Sequence, residues 1–162
     1  QNLFNQIESE IISALSDHCP KAKQIYACGF WLFYCDYVKI NPPCLGYSSD
    51  EGLEECQWSP PEWEVDILDA VYDAIDPLYQ KLGQLMKGKT DSEWKALVDF
   101  QHDAYCALCL KLNNEKDTVF ANWDLSPDFV IGIFEEREEK KLYEHLLTSS
   151  IGMSKVKALG IL

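Results

Sequence analysis

The sequence has almost no arginine, no long apolar run and none of the short motifs that mark common enzyme classes. Arg137 is the single arginine, whereas phosphate-handling enzymes favour the bidentate contacts that arginine makes. The longest apolar run, from Ile25 to Val38, spans about fourteen residues, includes Asp36 and is short of the roughly twenty that cross a bilayer. P-loop, dinucleotide-binding, G-x-S-x-G and H-E-x-x-H patterns are all missing. These absences predict a protein without a membrane span and without enzymatic activity.

Positive charge is scarce throughout the chain. Twenty-seven acidic residues stand against fourteen basic ones, which gives a net charge of -13 and a pI near 4.5. Nucleic acids and anionic membranes are bound by basic surfaces, so neither is expected as a direct ligand. Glu8 and Glu10 stand where a signal peptide would carry positive charge, so no leader is expected in these residues. The charge balance favours a basic partner.

The excess negative charge is concentrated in one quarter of the sequence. No lysine or arginine occurs between Ile40 and Gln80, and ten acidic residues fall there. Without them the chain has seventeen acidic and fourteen basic residues, a net charge of only -3. The ten are Asp50, Glu51, Glu54, Glu55, Glu62, Glu64, Asp66, Asp69, Asp73 and Asp76.

Five of these acidic residues have helical spacing. The steps from Glu62 to Asp66, Asp69, Asp73 and Asp76 are four, three, four and three residues, which predicts one face of a helix. Like charges at these spacings destabilise a helix by about 0.2–0.5 kcal/mol per pair. The face is either a solvated surface of an acidic protein or a docking surface for a cationic partner.

The periodicity of apolar residues predicts an α+β fold in a single domain over residues 1–162, with a small, mainly antiparallel sheet covered by several helices. The prolines at positions 42 and 43 should place the second strand at an edge or bend it away. Pro77 should kink or divide the long second helix. The predicted helices are 3–17, a long helix that carries Glu62 near its start and is closed by 87–90, and 90–112, 135–147 and 153–159. The predicted strands are 24–34, 38–45, 118–123 and 128–134, and 47–52 is predicted to be a polar loop.

Cysteine and histidine offer an alternative function. Seven cysteines are an odd number without disulfide-framework spacing, which favours a reduced, cytoplasmic protein. His102, Cys106 and Cys109 share one side of a predicted helix and can be zinc ligands, with His145 or another cysteine as the fourth. The same cysteines can instead pack in the core as small apolar residues. A metal-binding or thiol-dependent enzyme is therefore the alternative, although no cofactor is expected.

One short element carries a family resemblance. Trp58-Ser59-Pro60-Pro61-Glu62-Trp63 precedes the long helix, and both tryptophans are expected to hold this turn against the core. Together with the amphipathic first helix, the aromatic strand and Phe134-Glu135-Glu136, it resembles a bacterial domain-of-unknown-function family with a W-S-P-x-E-W element. The wider resemblance is to immunity proteins of contact-dependent growth inhibition and other polymorphic toxin systems.

The resemblance implies a small cytoplasmic protein that neutralises a cognate toxin domain by tight binding, without catalytic residues. A basic nuclease toxin must attract phosphate, so an acidic helix face can occupy its active site. The residues expected to contact such a toxin are Glu54, Glu55, Glu62, Asp66, Asp69, Asp73 and Asp76.

Overall fold

A computed structural model describes residues 2–32, 34–35, 39–49, 58, 63–135 and 139–162, with the backbone alone at 34, 35 and 39. The predicted site residues Glu54, Glu55 and Glu62 lie outside the described residues. In chain order the elements are α1 (Asn2–Asp17), β1 (Ile25–Trp31), β2 (Tyr34–Cys35), β3 (Lys39–Ile40), β4 (Cys44–Ser49), α2 (Leu68–Met86), α3 (Asp91–Asn114), α4 (Lys116–Val119), β5 (Leu125–Ile133), α5 (Lys140–Ile151) and α6 (Met153–Ala158).

Strand β1 lies at the centre of a three-stranded mixed sheet. It pairs antiparallel with β4 and parallel with β5, while β2 and β3 form a separate antiparallel pair. Helices and strands are assembled into a single α+β domain, as the sequence predicts. Apart from Trp31, every residue of β1 is buried. The helices α1, α2 and α3 cover one face of the sheet, and Trp58, Trp63, α5 and α6 cover the other.

Three glycines stand side by side across this sheet. Gly29 of β1 is in register with Gly46 of β4 and with Gly132 of β5. A Cβ at position 29 would lie 2.5 Å from the Phe134 ring, and one at position 132 would lie 2.6 Å from Ile151 Cγ1. Both distances are shorter than real contacts, so the missing side chains let an aromatic ring and α5 pack directly on the backbone.

Side-chain hydrogen bonds satisfy part of the outer edge of β5. In β5 the Ile131 N–H donates to Asn113 Oδ1 at 3.0 Å, and Asn113 Nδ2 donates back to the Ile131 carbonyl at 2.7 Å. The Ile133 N–H donates to Ser150 Oγ at 3.0 Å. Side chains of α3 and α5 thus take the place of a fourth strand and protect the edge from pairing with another chain.

Several predicted elements agree with the structure. α1 ends at Asp17, α6 covers most of the predicted last helix, and β4 lies at an edge after the proline pair. α3 is capped at Thr90, where the Glu93 N–H donates to Oγ1 and the Thr90 N–H donates to the Glu93 carboxylate. Gly88 follows α2 with a φ of 76°, the left-handed conformation that favours glycine.

Two predictions about strands are wrong. Residues 118–123 are a short helix and a turn, because Phe120 and Trp123 pack as buried rings and the indole N–H of Trp123 donates to the Leu15 carbonyl at 3.1 Å. Tertiary packing outweighs their strand propensity. The predicted polar loop after position 46 continues β4 to Ser49, since the hydroxyls of Ser48 and Tyr26 are 2.7 Å apart and buried.

The predicted helix boundaries also change. α5 begins at Lys140 rather than 135, and Glu135 is buried instead with Oε2 accepting from the Leu32 N–H at 3.0 Å. α2 runs through Pro77 without being divided. Pro77 is on the exposed side, where water can solvate the carbonyl that loses its donor.

Substituting glycines tests the close packing on the sheet. Gly132→Ala is expected to lower the free energy of unfolding by about 1–3 kcal/mol, because the added methyl overlaps Ile151. Gly83→Ala is the matched control: its Cβ meets nothing within 4 Å, so the helix should gain about 0.5–1 kcal/mol. Urea denaturation measures both, and equal changes would contradict this packing.

The α3 cap predicts a pH dependence of stability. Hydrogen bonds from the Thr90 backbone, Lys89 and the Thr90 hydroxyl lower the pKa of Glu93 from 4.5 to about 2. A lowered folded-state pKa stabilises the protein above the ordinary pKa, and the benefit is lost as the pH falls toward 2. Glu93→Gln should therefore destabilise the protein at pH 7 and match it near pH 2. The same loss by urea denaturation at both pH values would contradict the prediction.

Candidate functional site

A backbone bridge determines where the acidic helix begins. The Tyr47 N–H donates to the Glu64 carbonyl and the Glu64 N–H donates to the Tyr47 carbonyl, each at 2.9 Å. Residues 63–65 are therefore extended against the outer edge of β4, and α2 starts only at Leu68. The prediction that Asp66 lies on the helix is wrong, because Asp66 is in the turn before α2.

The remaining acidic residues do share one face of α2. Asp69 and Asp73 are exposed, and Asp76 is half-buried, on the side opposite the buried residues Val71, Ile75, Leu78 and Leu82. We call Asp66, Asp69, Asp73 and Asp76 the acidic face. Asp69 lies in the first turn, where the helix dipole favours a carboxylate.

The members of the acidic face differ in their contacts. Asp76 Oδ2 accepts from Gln80 Nε2 at 2.6 Å, whereas Asp69 and Asp73 have no ion pair with any described residue. The only base on α2 is Lys81, eight residues beyond Asp73. The carboxylates of Asp69 and Asp73 are therefore available to an outside cation.

Two exposed apolar side chains lie beside these carboxylates. Val65 is 45% exposed and Tyr72 is 40% exposed. Burial and the neighbouring Asp76 carboxylate raise the pKa of Tyr72, so its hydroxyl stays protonated at neutral pH. An exposed tyrosine surrounded by charge has the composition of a protein-interface centre with a polar rim.

A groove runs between α1 and α2 next to the acidic face. It has a volume of about 350 Å³ and carries two carboxylates, Glu10 and Asp17, on its α1 side. We call it the α1–α2 groove, and its lining is Glu10, Ser13, Ala14, Asp17, His18, Ala70 and Ala74. The α1 side of the groove was not predicted from the sequence. The available signal for its negative charge was that α1 contains no lysine or arginine.

Asp66 lies at the His18 end of the groove. Its Oδ1 is 3.3 Å from His18 Nε2, but the two groups are not aligned for a hydrogen bond, and the buried Nε2 has no hydrogen-bond partner among the described residues. The Tyr47 side chain is fully buried, and its hydroxyl faces the Asp66 carboxylate. Burial first, and the carboxylates of Asp66 and Glu64 next, raise the pKa of Tyr47. Both rings pack edgewise on Trp123.

The two tryptophans of the six-residue element pack on the sheet, as expected. Trp63 is buried with its ring edgewise to Phe134 at 4.9 Å. Trp58 is half-buried and stacks on the same phenylalanine at 6.2 Å with parallel planes. The segment between them is anchored at both ends, but its residues lie outside those described.

The alternative site on α3 packs as core. His102, Cys106 and Cys109 are all buried, and among the described residues no three His, Cys, Asp or Glu side chains are grouped to hold a metal ion. Burial, followed by the charge of Asp103, raises the pKa of Cys106 to about 11, and burial raises that of Cys109 well above its usual range. Thiols of this kind are poor nucleophiles at neutral pH.

Comparison of the chain with protein-family models, curated proteins and solved structures finds no match. In the described part of the chain no helix combines the length and apolarity needed to cross a bilayer. The function proposed below therefore depends on the chain's own charges and contacts.

Alkylation tests the chemistry of the α3 cysteines. With a pKa of about 11, the Cys106 thiol is ionised in about one molecule in a thousand at pH 8. Cys106 and Cys109 should therefore stay unmodified by iodoacetamide while exposed Cys19 reacts, and all three should react in urea. Peptide mass spectrometry measures each site. Modification of Cys106 in the native protein as fast as Cys19 would contradict the inert, buried assignment.

Proposed function

We propose that this protein is an immunity protein that binds and neutralises a cognate toxin domain, a basic nuclease, through its acidic face. The protein acts by binding and not by catalysis, in the cytoplasm, without a cofactor and without touching nucleic acid or membrane itself. The observation that carries this proposal is the exposure of Asp69 and Asp73 on a helix face that has no compensating base.

The electrostatic cost of this face supports a binding role. Asp69 and Asp73 are four residues apart and Asp73 and Asp76 three apart, so each pair costs about 0.2–0.5 kcal/mol in the free protein. Lysine at one of these positions would relieve the repulsion and keep the helix soluble. A cationic partner relieves it as well, and the repulsion then favours the bound state.

The geometry of α2 suits occupation of a phosphate-binding cleft. Successive carboxylates rise along the helix by about 4.5–6 Å, at 1.5 Å per residue, so they form a row of negative charge. A nuclease cleft concentrates positive potential, and opposite potentials accelerate and orient association. The half-exposed Tyr72 supplies apolar contact among the charges.

The cysteines support the cytoplasmic location. Among the described residues, Cys19, Cys28, Cys106 and Cys109 are free thiols. Cys28 and Cys109 are completely buried, and burial raises the pKa of both thiols. Free thiols in such number suit a reducing compartment.

The first test uses the gene neighbourhood. We expect the gene immediately upstream to encode a secreted protein with a basic C-terminal domain. That domain is to be expressed in a laboratory bacterium with and without this chain. Growth arrest relieved by the chain, and a complex of the two purified proteins on size-exclusion chromatography, are the expected results. A non-toxic upstream domain, or toxicity that the chain does not relieve, would overturn the proposal.

Charge reversal tests the role of the acidic face. Asp69→Lys with Asp73→Lys should slow association with that toxin domain about tenfold or more at low salt, because exposed charges act mainly on the association rate. Stopped-flow or surface plasmon resonance measures the rate, and urea denaturation should show little loss of stability.

The matched control is Asp99→Lys with Asp103→Lys, an equally spaced pair on the exposed side of α3. It makes the same change in net charge at another surface. If both double variants slow association equally, total charge rather than the acidic face attracts the partner, and the assignment of this face is wrong.

A further inference from the structure

A cavity of about 720 Å³ opens beside the C-terminal half of α2. Four of the side chains that line it are apolar or aromatic and buried in the core: Ile40, Tyr79, Met86 and Trp94. The rest of the lining is mainly polar. Pockets of roughly 300–1,000 Å³ that combine apolar and aromatic walls with a few polar groups are typical of binding sites. We call it the α2 cavity.

The α2 cavity continues the acidic face along the helix. The acidic face ends at Asp76, which also lines the cavity. The same four- and three-residue steps lead on through three further lining residues, Gln80, Gly83 and Lys87. Residues at these steps lie on one side of a helix. A partner seated on the carboxylates of α2 therefore also meets the cavity.

Gly83 leaves part of this side of α2 without a side chain. It lies inside a 19-residue helix, where glycine is less favourable than alanine. A Cβ at this position would meet no heavy atom of the described residues within 4 Å, so packing within the described fold does not require glycine. Glycine allows another chain to approach the backbone closely, and that use gives this position a reason to lack a side chain.

The aromatic wall of the cavity is fixed from the protein interior. The Tyr79 hydroxyl accepts from Gln101 Nε2 at 2.9 Å and lies 2.9 Å from the Tyr105 hydroxyl. All three side chains are buried, so the Tyr79 ring is held in place before a ligand binds, and less entropy is lost on binding. Two rings and the Met86 thioether favour contact with a further aromatic ring.

The charges of the lining favour an uncharged ligand. Asp76 is negative at one end of the cavity and Lys87 is positive at the other, while Lys89 is paired with Glu93 at 2.9 Å. These charges nearly balance, in contrast to the acidic face. A basic side chain of the partner is therefore better placed on the acidic face, and a neutral aromatic side chain is better placed in the cavity.

We propose that the α2 cavity receives an aromatic side chain of the basic partner, whose backbone passes α2 at Gly83. The partner is the toxin domain of the proposed function, on which this inference rests. The acidic face attracts this partner, and the aromatic side chain anchors it, since aromatic residues buried in pockets carry much of the binding energy of protein interfaces. Changes in the cavity should therefore act on the dissociation rate.

The probes are N-acetylphenylalanine amide and N-acetylalanine amide, titrated into the full chain and followed by NMR. The backbone amide of Gly88 and the indole N–H of Trp94 report on the cavity, since both residues line it. Both signals should shift saturably with the phenylalanine probe. The alanine probe should bind at least about tenfold more weakly, because it buries much less apolar surface. Equal binding of the two probes, or no shift with either, would overturn the inference.

Gly83→Leu places a side chain in the cavity without changing charge. It should weaken binding of the phenylalanine probe about tenfold or more, while Ala96→Leu, at an exposed position of α3, is the steric control and should leave binding unchanged. Gly83→Ala keeps the test decisive if Gly83→Leu fails to fold, and it should weaken the probe about threefold. Unchanged binding in the folded Gly83 variants would show that the probe does not occupy the cavity, and the inference would be wrong.

The toxin domain separates this inference from the proposed function. If the wild-type chain neutralises the toxin and Gly83→Leu dissociates from it no faster, the function stands and the cavity assignment is wrong. If Gly83→Leu abolishes binding of the phenylalanine probe but the wild-type chain does not bind the toxin domain, the cavity binds aromatic groups, and the proposed function and the partner named here are wrong. Support for both requires about tenfold faster dissociation of the toxin from Gly83→Leu, but not from Ala96→Leu.

Discussion

The two hydrogen bonds between Tyr47 and Glu64 determine how this protein presents its negative charge. They hold residues 63–65 extended against β4, so α2 can begin only at Leu68. Because the helix starts there, Asp69 and Asp73 face outward and Asp66 is left in a turn beside His18. A helix begun one turn earlier would have carried Asp66 away from α1 and closed off the acidic end of the groove.

The small sheet to which β4 belongs is stabilised by packing on both of its faces and by side-chain hydrogen bonds at its outer edge. In the described part of the chain two strands, β4 and β5, pair with β1, yet both faces of the sheet are covered and the outer edge of β5 is partly satisfied by Asn113 and Ser150. Glycine at positions 29 and 132 allows Phe134 and Ile151 to lie on the backbone. This close packing is on the sheet face that α5 and α6 cover, while α1 and α2 pack on the opposite face.

Local patterns predicted the elements whose signals lie within a few neighbouring residues. The apolar spacing of α1 depends only on neighbouring residues of the chain, and the structure confirms that helix. The Thr90 cap of α3 and the glycine after α2 are also local features, formed by residues within one turn of each other. Residues 118–123 and 47–49 were mispredicted because their conformations are decided by distant partners. Trp123 bonds to α1, and Ser48 bonds to β1.

The sequence by itself determined that the negative charge is concentrated in one segment without bases, and that Asp69, Asp73 and Asp76 share a helix face. Both follow from composition and from the 3.6-residue period, which need no knowledge of the rest of the chain. Only the tertiary structure decided that Glu10 and Asp17 of α1 and the following His18 lie across one groove from Ala70 and Ala74 of α2, with Asp66 Oδ1 3.3 Å from His18 Nε2. Residues about fifty positions apart in the sequence meet there because the sheet positions both helices. The helical periodicity relates only residues within a few turns of each other, so it cannot predict this contact.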